Sequence, residues 1–153
     1  MRHRLLFILS VLLTLASCET YDCTLYNYVG MYGSFYQDGK AVAIQDALTI
    51  TISGSNSVLL NQAANTSKVT LPLSFWQAED TLVFHVNGIQ DTVWITKTNL
   101  VHYESPDCPM TLFHTIQDVR STHKFIDSIT ITRPSVNYET TENLQIHLFT
   151  ATD

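Results

Sequence analysis

No apolar run in this chain is long enough to cross a bilayer as a helix, which takes about twenty residues. The longest, Leu5 to Leu15, covers about eleven residues and is broken by Ser10 and Thr14. Positive charge is also scarce: eight Lys and Arg stand against fourteen Asp and Glu, for a formal net charge of −6. Nucleic-acid binding and electrostatic membrane docking both want clustered basic residues, so both are disfavoured. Helical periodicity is missing, since no stretch sustains apolar spacing over three turns. Catalytic signatures are missing too: there is no G-x-S-x-G elbow, no H-E-x-x-H zinc pair and no EF-hand loop. His85, His102, His114, His123 and His147 never fall at zinc-ligand spacing. The expectation is a protein that is not an enzyme and that uses no metal and no cofactor.

What the first eighteen residues contain is more specific. Arg2 and Arg4 give a positive start, the short apolar run follows, and Leu15-Ala16-Ser17-Cys18 closes it with small residues before a cysteine. These four residues have the form of a lipobox, which implies a lipoprotein signal peptide over residues 1–17 with Cys18 as the lipidation site. The alternatives are an ordinary signal peptide cut near Ala16 and an uncleaved anchor. An acylated Cys18 would bury many CH₂ groups at about 0.8 kcal/mol each, so anchoring would be effectively permanent. The expected location is therefore the cell outer membrane, on an undetermined face, with the membrane as a partner through lipid. Loss of residues 1–17 takes Arg2 and Arg4 with it, and the net charge deepens from −6 to −8.

If Cys18 carries lipid, Cys23 and Cys108 are left as an even pair in an oxidising compartment, where a disulfide is expected. The other reading is two independent buried cysteines. A bridge would clamp the domain to a short tether, residues 18–23.

The remainder reads as strand after strand. Leu48-Thr49-Ile50-Thr51-Ile52 alternates apolar and hydroxyl residues, the period-2 signature of a half-buried strand. Similar runs occupy Ser57 to Asn61, Lys68 to Leu73, Thr81 to Val86, Thr92 to Thr96, Leu100 to Tyr103, Thr111 to Ile116, Ser128 to Thr132 and Leu144 to Phe149. Asn87-Gly88 between two runs marks a hairpin. Short strands at this spacing predict a single all-β antiparallel sandwich over residues 24–153, immunoglobulin-like in general architecture, with a small barrel as the alternative. Asp46, Asp91 and Asp127 each precede an aliphatic strand, and are read as strand-entry residues whose carboxylates accept turn N–H groups.

The lipobox together with Asp38-Gly39-Lys40, Leu71-Pro72-Leu73, Asp91-Thr92, Cys108, Ile126-Asp127-Ser128-Ile129 and Asn143 to Phe149 resembles a family of small uncharacterised Bacteroidales lipoproteins, a domain of unknown function. Pro109 stands after Cys108 where the resemblance leads one to expect glycine. The family implies an envelope location and no known activity. It also implies that Thr81, Thr92 and Ser128, each in an Asp, Ser or Thr, aliphatic triplet, are candidate O-glycosylation sites.

One candidate binding surface stands out. On an extended chain Tyr26, Tyr28, Tyr32 and Tyr36 share one parity, while Leu25, Val29, Met31 and Phe35 share the other. One face would be core and the other a tyrosine stripe suited to a glycan or an envelope protein, although Gly30 and Gly33 could introduce bulges. The sequence thus supports a lipid-anchored, non-catalytic binding or structural β-domain, with a glycan-binding accessory and a small hydrolase as the rival readings.

Overall fold

A computed structural model describes Cys23, residues 28–55 and residues 57–150. These residues form an all-β sandwich of two sheets. In one sheet β1 (Met31–Gln37) is flanked on one side by β11 (Leu144–Leu148), which in turn pairs with β9 (Ile126–Ile131). Its other side is shared by two short strands, β5 (Lys68–Leu71) along its first half and β2 (Lys40–Ala41) along its second. The β1–β11 pair is parallel; the other pairings are antiparallel. The second sheet runs β10 (Ser135–Val136), β8 (Thr111–Ser121), β7 (Ile89–His102), β6 (Glu79–Val86), β3 (Leu48–Ile52) and β4 (Val58–Ala63).

Alternation dictates which side chains meet between the sheets. Leu48 and Ile50 of β3, Leu82 and Phe84 of β6, and Val93 and Ile95 of β7 point inward against Met31, Phe35, Val69, Leu71, Ile126, Leu144 and Ile146 of the other sheet. The intervening Thr49, Thr51, Thr92 and Trp94 face outward and are half-buried. The run at Thr92 to Thr96 and all but Tyr103 of the run at Leu100 to Tyr103 are one continuous strand, β7, which pairs with β8 across a bulge between Thr96 and Lys97. Strand β1 keeps a regular register through Gly33, with no bulge. A Cβ there would lie 3.2 Å from Ile146 Cδ1, so the glycine lets Ile146 fill the core. Asn87-Gly88 forms the expected two-residue turn with positive φ at both positions, and Asp38-Gly39 repeats it between β1 and β2.

The three aspartates read as strand-entry residues have three different roles. Asp46 is exposed before β3, and exposed Asp127 accepts the Ser128 hydroxyl at 3.1 Å. Asp91 is fully buried, and its carboxylate reaches the β8–β9 corner instead of its own turn. There the chain passes from one sheet to the other.

Cys23 and Cys108 form a disulfide, Cα to Cα 5.6 Å, across 85 positions of sequence. It ties the N-terminal segment to the β7–β8 loop. Because the closed loop is long, Cys108→Ser should lower stability by about 2–4 kcal/mol. Urea unfolding of the oxidised wild type beside the variant measures this, and indistinguishable midpoints would contradict it.

Candidate functional site

Lys97 continues the inward series Val93, Ile95 on β7, a position where alternation calls for an alkyl side chain. Its side chain is 0% exposed. A buried ammonium is tolerated only when its donors are satisfied, and Lys97 Nζ has a dense set of acceptors. It lies 2.6 Å from Gln77 O, 3.0 Å from Ser74 O, 3.1 Å from Asn99 Oδ1 and 3.3 Å from the carboxylate of Asp80. Asp80, itself buried on β6, also accepts the Ser74 N–H with both oxygens, at 3.1 and 3.3 Å.

Asn99 extends the cluster. Its Nδ2 donates to Phe75 O at 3.1 Å and Gln77 O at 3.3 Å, which fixes the orientation of the amide because carbonyls only accept. Its Oδ1 therefore faces His114 Nδ1, 2.8 Å away, and the proton of that contact belongs to His114. Burial, then the neighbouring Lys97 charge, push the His114 pKa down to about 4 against a smaller upward pull from Asp80. At neutral pH His114 is an uncharged donor.

The cluster does one thing to the chain around it. Residues 72–78 cross from β5 in one sheet to β6 in the other, and the carbonyls of Ser74, Phe75 and Gln77 are all held from below. With its backbone fixed, the loop turns Phe75 and Trp76 outward, 50% and 82% exposed, their ring centroids 6.3 Å apart. A groove of about 320 Å³ runs beside Trp76 past Pro72, Leu73 and Asp80. On the other side a hollow of about 200 Å³ lies between Phe75, Tyr28, Leu112 and His114. An aromatic pair on a loop whose carbonyls are held by a polar base can supply flat apolar contact at reduced backbone ordering cost.

This site was not among those expected from sequence. Of the expected residues, Cys18 and Tyr26 lie outside the described residues. The tyrosine stripe is only partly present: Tyr28 is exposed, but it precedes β1 and joins the Phe75 hollow. Tyr32 and Tyr36 do face away from the core on β1, yet both are half-buried. Tyr36 donates to Glu142 at 3.3 Å and tilts against His147. Thr81 and Thr92 are half-buried on the outer face of the larger sheet, whereas Ser128 is exposed on β9.

Two arrangements test for hydrolytic chemistry. Ser121 Oγ lies 3.4 Å from His123 Nδ1, but that nitrogen also meets the Asp127 carbonyl at 2.6 Å. A carbonyl only accepts, so Nδ1 carries the proton and cannot take one from Ser121. His102 contacts Glu104 at 2.9 Å and stacks on Phe113. The shallow hollow there is lined by His102, Phe113, Asn137, Tyr138 and Glu139, with neither serine nor cysteine. Among the described residues no three His, Cys, Asp or Glu gather to hold a metal. No helix among them is long and apolar enough to cross a membrane.

No curated protein and no solved structure is significantly similar. A family of unknown function, DUF6452, matches residues 47–148, about two-thirds of the chain. The matched span runs from β3 to β11 and contains the whole Lys97 cluster and the Phe75–Trp76 loop. The chain belongs to the family of unknown function DUF6452.

Proposed function

We propose that this chain is a lipoprotein of the cell envelope, acylated at Cys18 and held at the outer membrane, whose sandwich is a non-catalytic binding module. The narrower kinship with small Bacteroidales lipoproteins belongs to the same reading, on the strength of the lipobox and the short motifs quoted above. The observation that carries the binding role is the pinned loop. Three buried polar side chains, Asp80, Lys97 and His114, together with the exposed Asn99, converge on residues 72–78, and what those residues present is two exposed aromatic rings. Exposed aromatic anchors on a rigid base are what recognition surfaces use.

A glycan-binding role is the second reading, now favoured at the groove beside Trp76 more than at the half-buried tyrosines of β1. The small hydrolase is the least supported, because the Ser121–His123 contact has the wrong tautomer. Of the three candidate glycosylation hydroxyls, exposed Ser128 is the best presented.

Anchoring has a direct test. Cells fed an alkyne fatty acid should label the wild-type protein and not Cys18→Ala, which should leave the membrane fraction. Equal labelling of the two would overturn the lipoprotein reading.

A further inference from the structure

We propose that the end of the sandwich bearing Tyr28, Phe75, Trp76, Val101, Tyr103 and Met110 docks on the bilayer that holds the lipid of Cys18, with these side chains at headgroup level. The inference rests on acylation of Cys18 and deepens the binding role by naming the partner of the aromatic loop. The first observation is where exposed apolar side chains lie. Ten large ones are exposed among the described residues, and these six, 43–82% exposed, lie where β1 and β6 begin and β7 meets β8. Leu100 joins them from the opposite face of the β7–β8 hairpin. Of the rest, Val58 lies on edge strand β4, and Ile89 and Phe149 lie at the far end of the molecule. The side chains are brought together by the fold: Asn99 of β7 bonds the 75–77 backbone, and Tyr28, Phe75 and Leu112 line one hollow.

The second observation says what covers them. The Cys23–Cys108 disulfide lies in the β7–β8 loop, between Tyr103 and Met110. Cys23 is five residues from Cys18, a span of at most about 18 Å even when fully extended. An acyl chain on Cys18 therefore places the bilayer beside this end. Ile89, at the other end of β7, lies about 40 Å of strand away.

The chemistry of the patch fits a headgroup layer. Tryptophan and tyrosine have an apolar body and a polar tip, and both concentrate at membrane–water boundaries. Lys97 is buried, and the charged groups at the hairpin tip are Glu104 and Asp107. Those carboxylates keep the tip at headgroup depth, and attraction comes from apolar contact alone. Docking should thus persist in uncharged phosphatidylcholine and in high salt, unlike docking by a basic patch.

The test uses the full, acylated chain in phosphatidylcholine vesicles. Its two tryptophans, Trp76 and Trp94, serve as internal probe and control. Trp94 sits mid-strand on the outer face of β7, beneath the Arg120 guanidinium. Lipid brominated near the top of its acyl chains, about 5–10 Å below the headgroups, should quench Trp76 several-fold in Trp94→Phe and leave Trp94 in Trp76→Phe nearly untouched. Wild type, with both rings, should fall between, so the result does not depend on either variant alone. Intact mass on the same sample reports acylation separately. An acylated protein whose Trp76 is unquenched by lipid and open to aqueous iodide overturns the docking and leaves the anchor standing. Equal quenching of both tryptophans, or quenching abolished by high salt, also overturns it. A mass without acyl chains overturns the anchor reading and the docking with it.

Discussion

Asp91→Ala should destabilise the domain by about 3–5 kcal/mol, because it leaves several donors without their acceptor at about 1–3 kcal/mol each. Five short contacts explain the size. The Lys124 N–H lies 3.0 Å from each carboxylate oxygen, the Phe125 and Ile126 N–H groups lie 2.7 and 2.8 Å from Oδ2, and the Thr122 hydroxyl lies 2.6 Å from Oδ1. Three backbone donors of the β8–β9 corner therefore lose their acceptor together, around a carboxylate that is itself fully buried. Total stability of a domain this size is only about 5–15 kcal/mol, so the variant should be close to unfolding at 37 °C. Urea unfolding followed by the tryptophan signal measures the loss; a change under about 1 kcal/mol would show that the corner holds without this carboxylate.

Acid should erase part of the difference between the two proteins. Burial works to raise the Asp91 pKa, but the Thr122 hydroxyl and the N–H groups of Ile126, Phe125 and Lys124 outweigh it, and the net shift is downward from 3.8. A carboxylate with a depressed folded pKa stabilises the protein above its unfolded pKa and loses that contribution as pH falls through the folded value. The gap between wild type and Asp91→Ala should accordingly be full at pH 5–7 and narrow below about pH 4. His114 is common to both proteins. Its own depressed pKa removes stability between about 6.5 and 4 as pH falls, and this cancels in the difference. Asp91→Asn should be milder, about 1–2 kcal/mol, because an amide oxygen can still take the Phe125 and Ile126 donors while the Thr122 hydroxyl turns to accept. Its stability gap should lack the acid dependence.

The sandwich was legible in the sequence because alternation was strong wherever one face was buried. Leu48 to Ile52 and Thr81 to Val86 lie in β3 and β6, and the Asn87-Gly88 turn is where those residues demand it. Strand β1 was harder, since Gly33 interrupts its apolar side between Met31 and Phe35; only the tyrosine parity hinted at extension. The disulfide was legible as arithmetic on three cysteines. Asp91 was recognised as a carboxylate for turn N–H groups, but its turn is more than thirty residues away, and no local pattern carries that information. The Lys97 cluster was missed for a related reason: its members come from β6, β7, β8 and the 72–78 loop. One signal was present, in that Asp80 and Lys97 sit at the inward parity of apolar strands, where a charge is out of place unless it has a partner.

Lys97→Met separates what that cluster does for stability from what it does for the loop. Methionine keeps the apolar stem and removes the ammonium, leaving the Asp80 carboxylate buried with only the Ser74 N–H and stripping Ser74 O of its donor. The expected loss is about 3–5 kcal/mol. His114 should titrate higher than about 4, because the Lys97 charge is the second of the two causes that hold it down; imidazole NMR reads this directly. Replacing the acid as well, in Asp80→Leu with Lys97→Met, removes both buried charges and should recover much of the stability. It cannot restore the bonds to the carbonyls of residues 74 and 77. If the cluster exists to position the aromatic pair, the double variant should be well folded yet show faster amide exchange over residues 72–78 and lower Trp76 anisotropy, and its Trp76 should be quenched less by brominated lipid than in the wild-type background. A double variant as stable as wild type with an equally ordered loop would instead make Lys97 a core residue with an unusual side chain, and the ordering of Phe75 and Trp76 would then come from Pro72 and the strand ends alone.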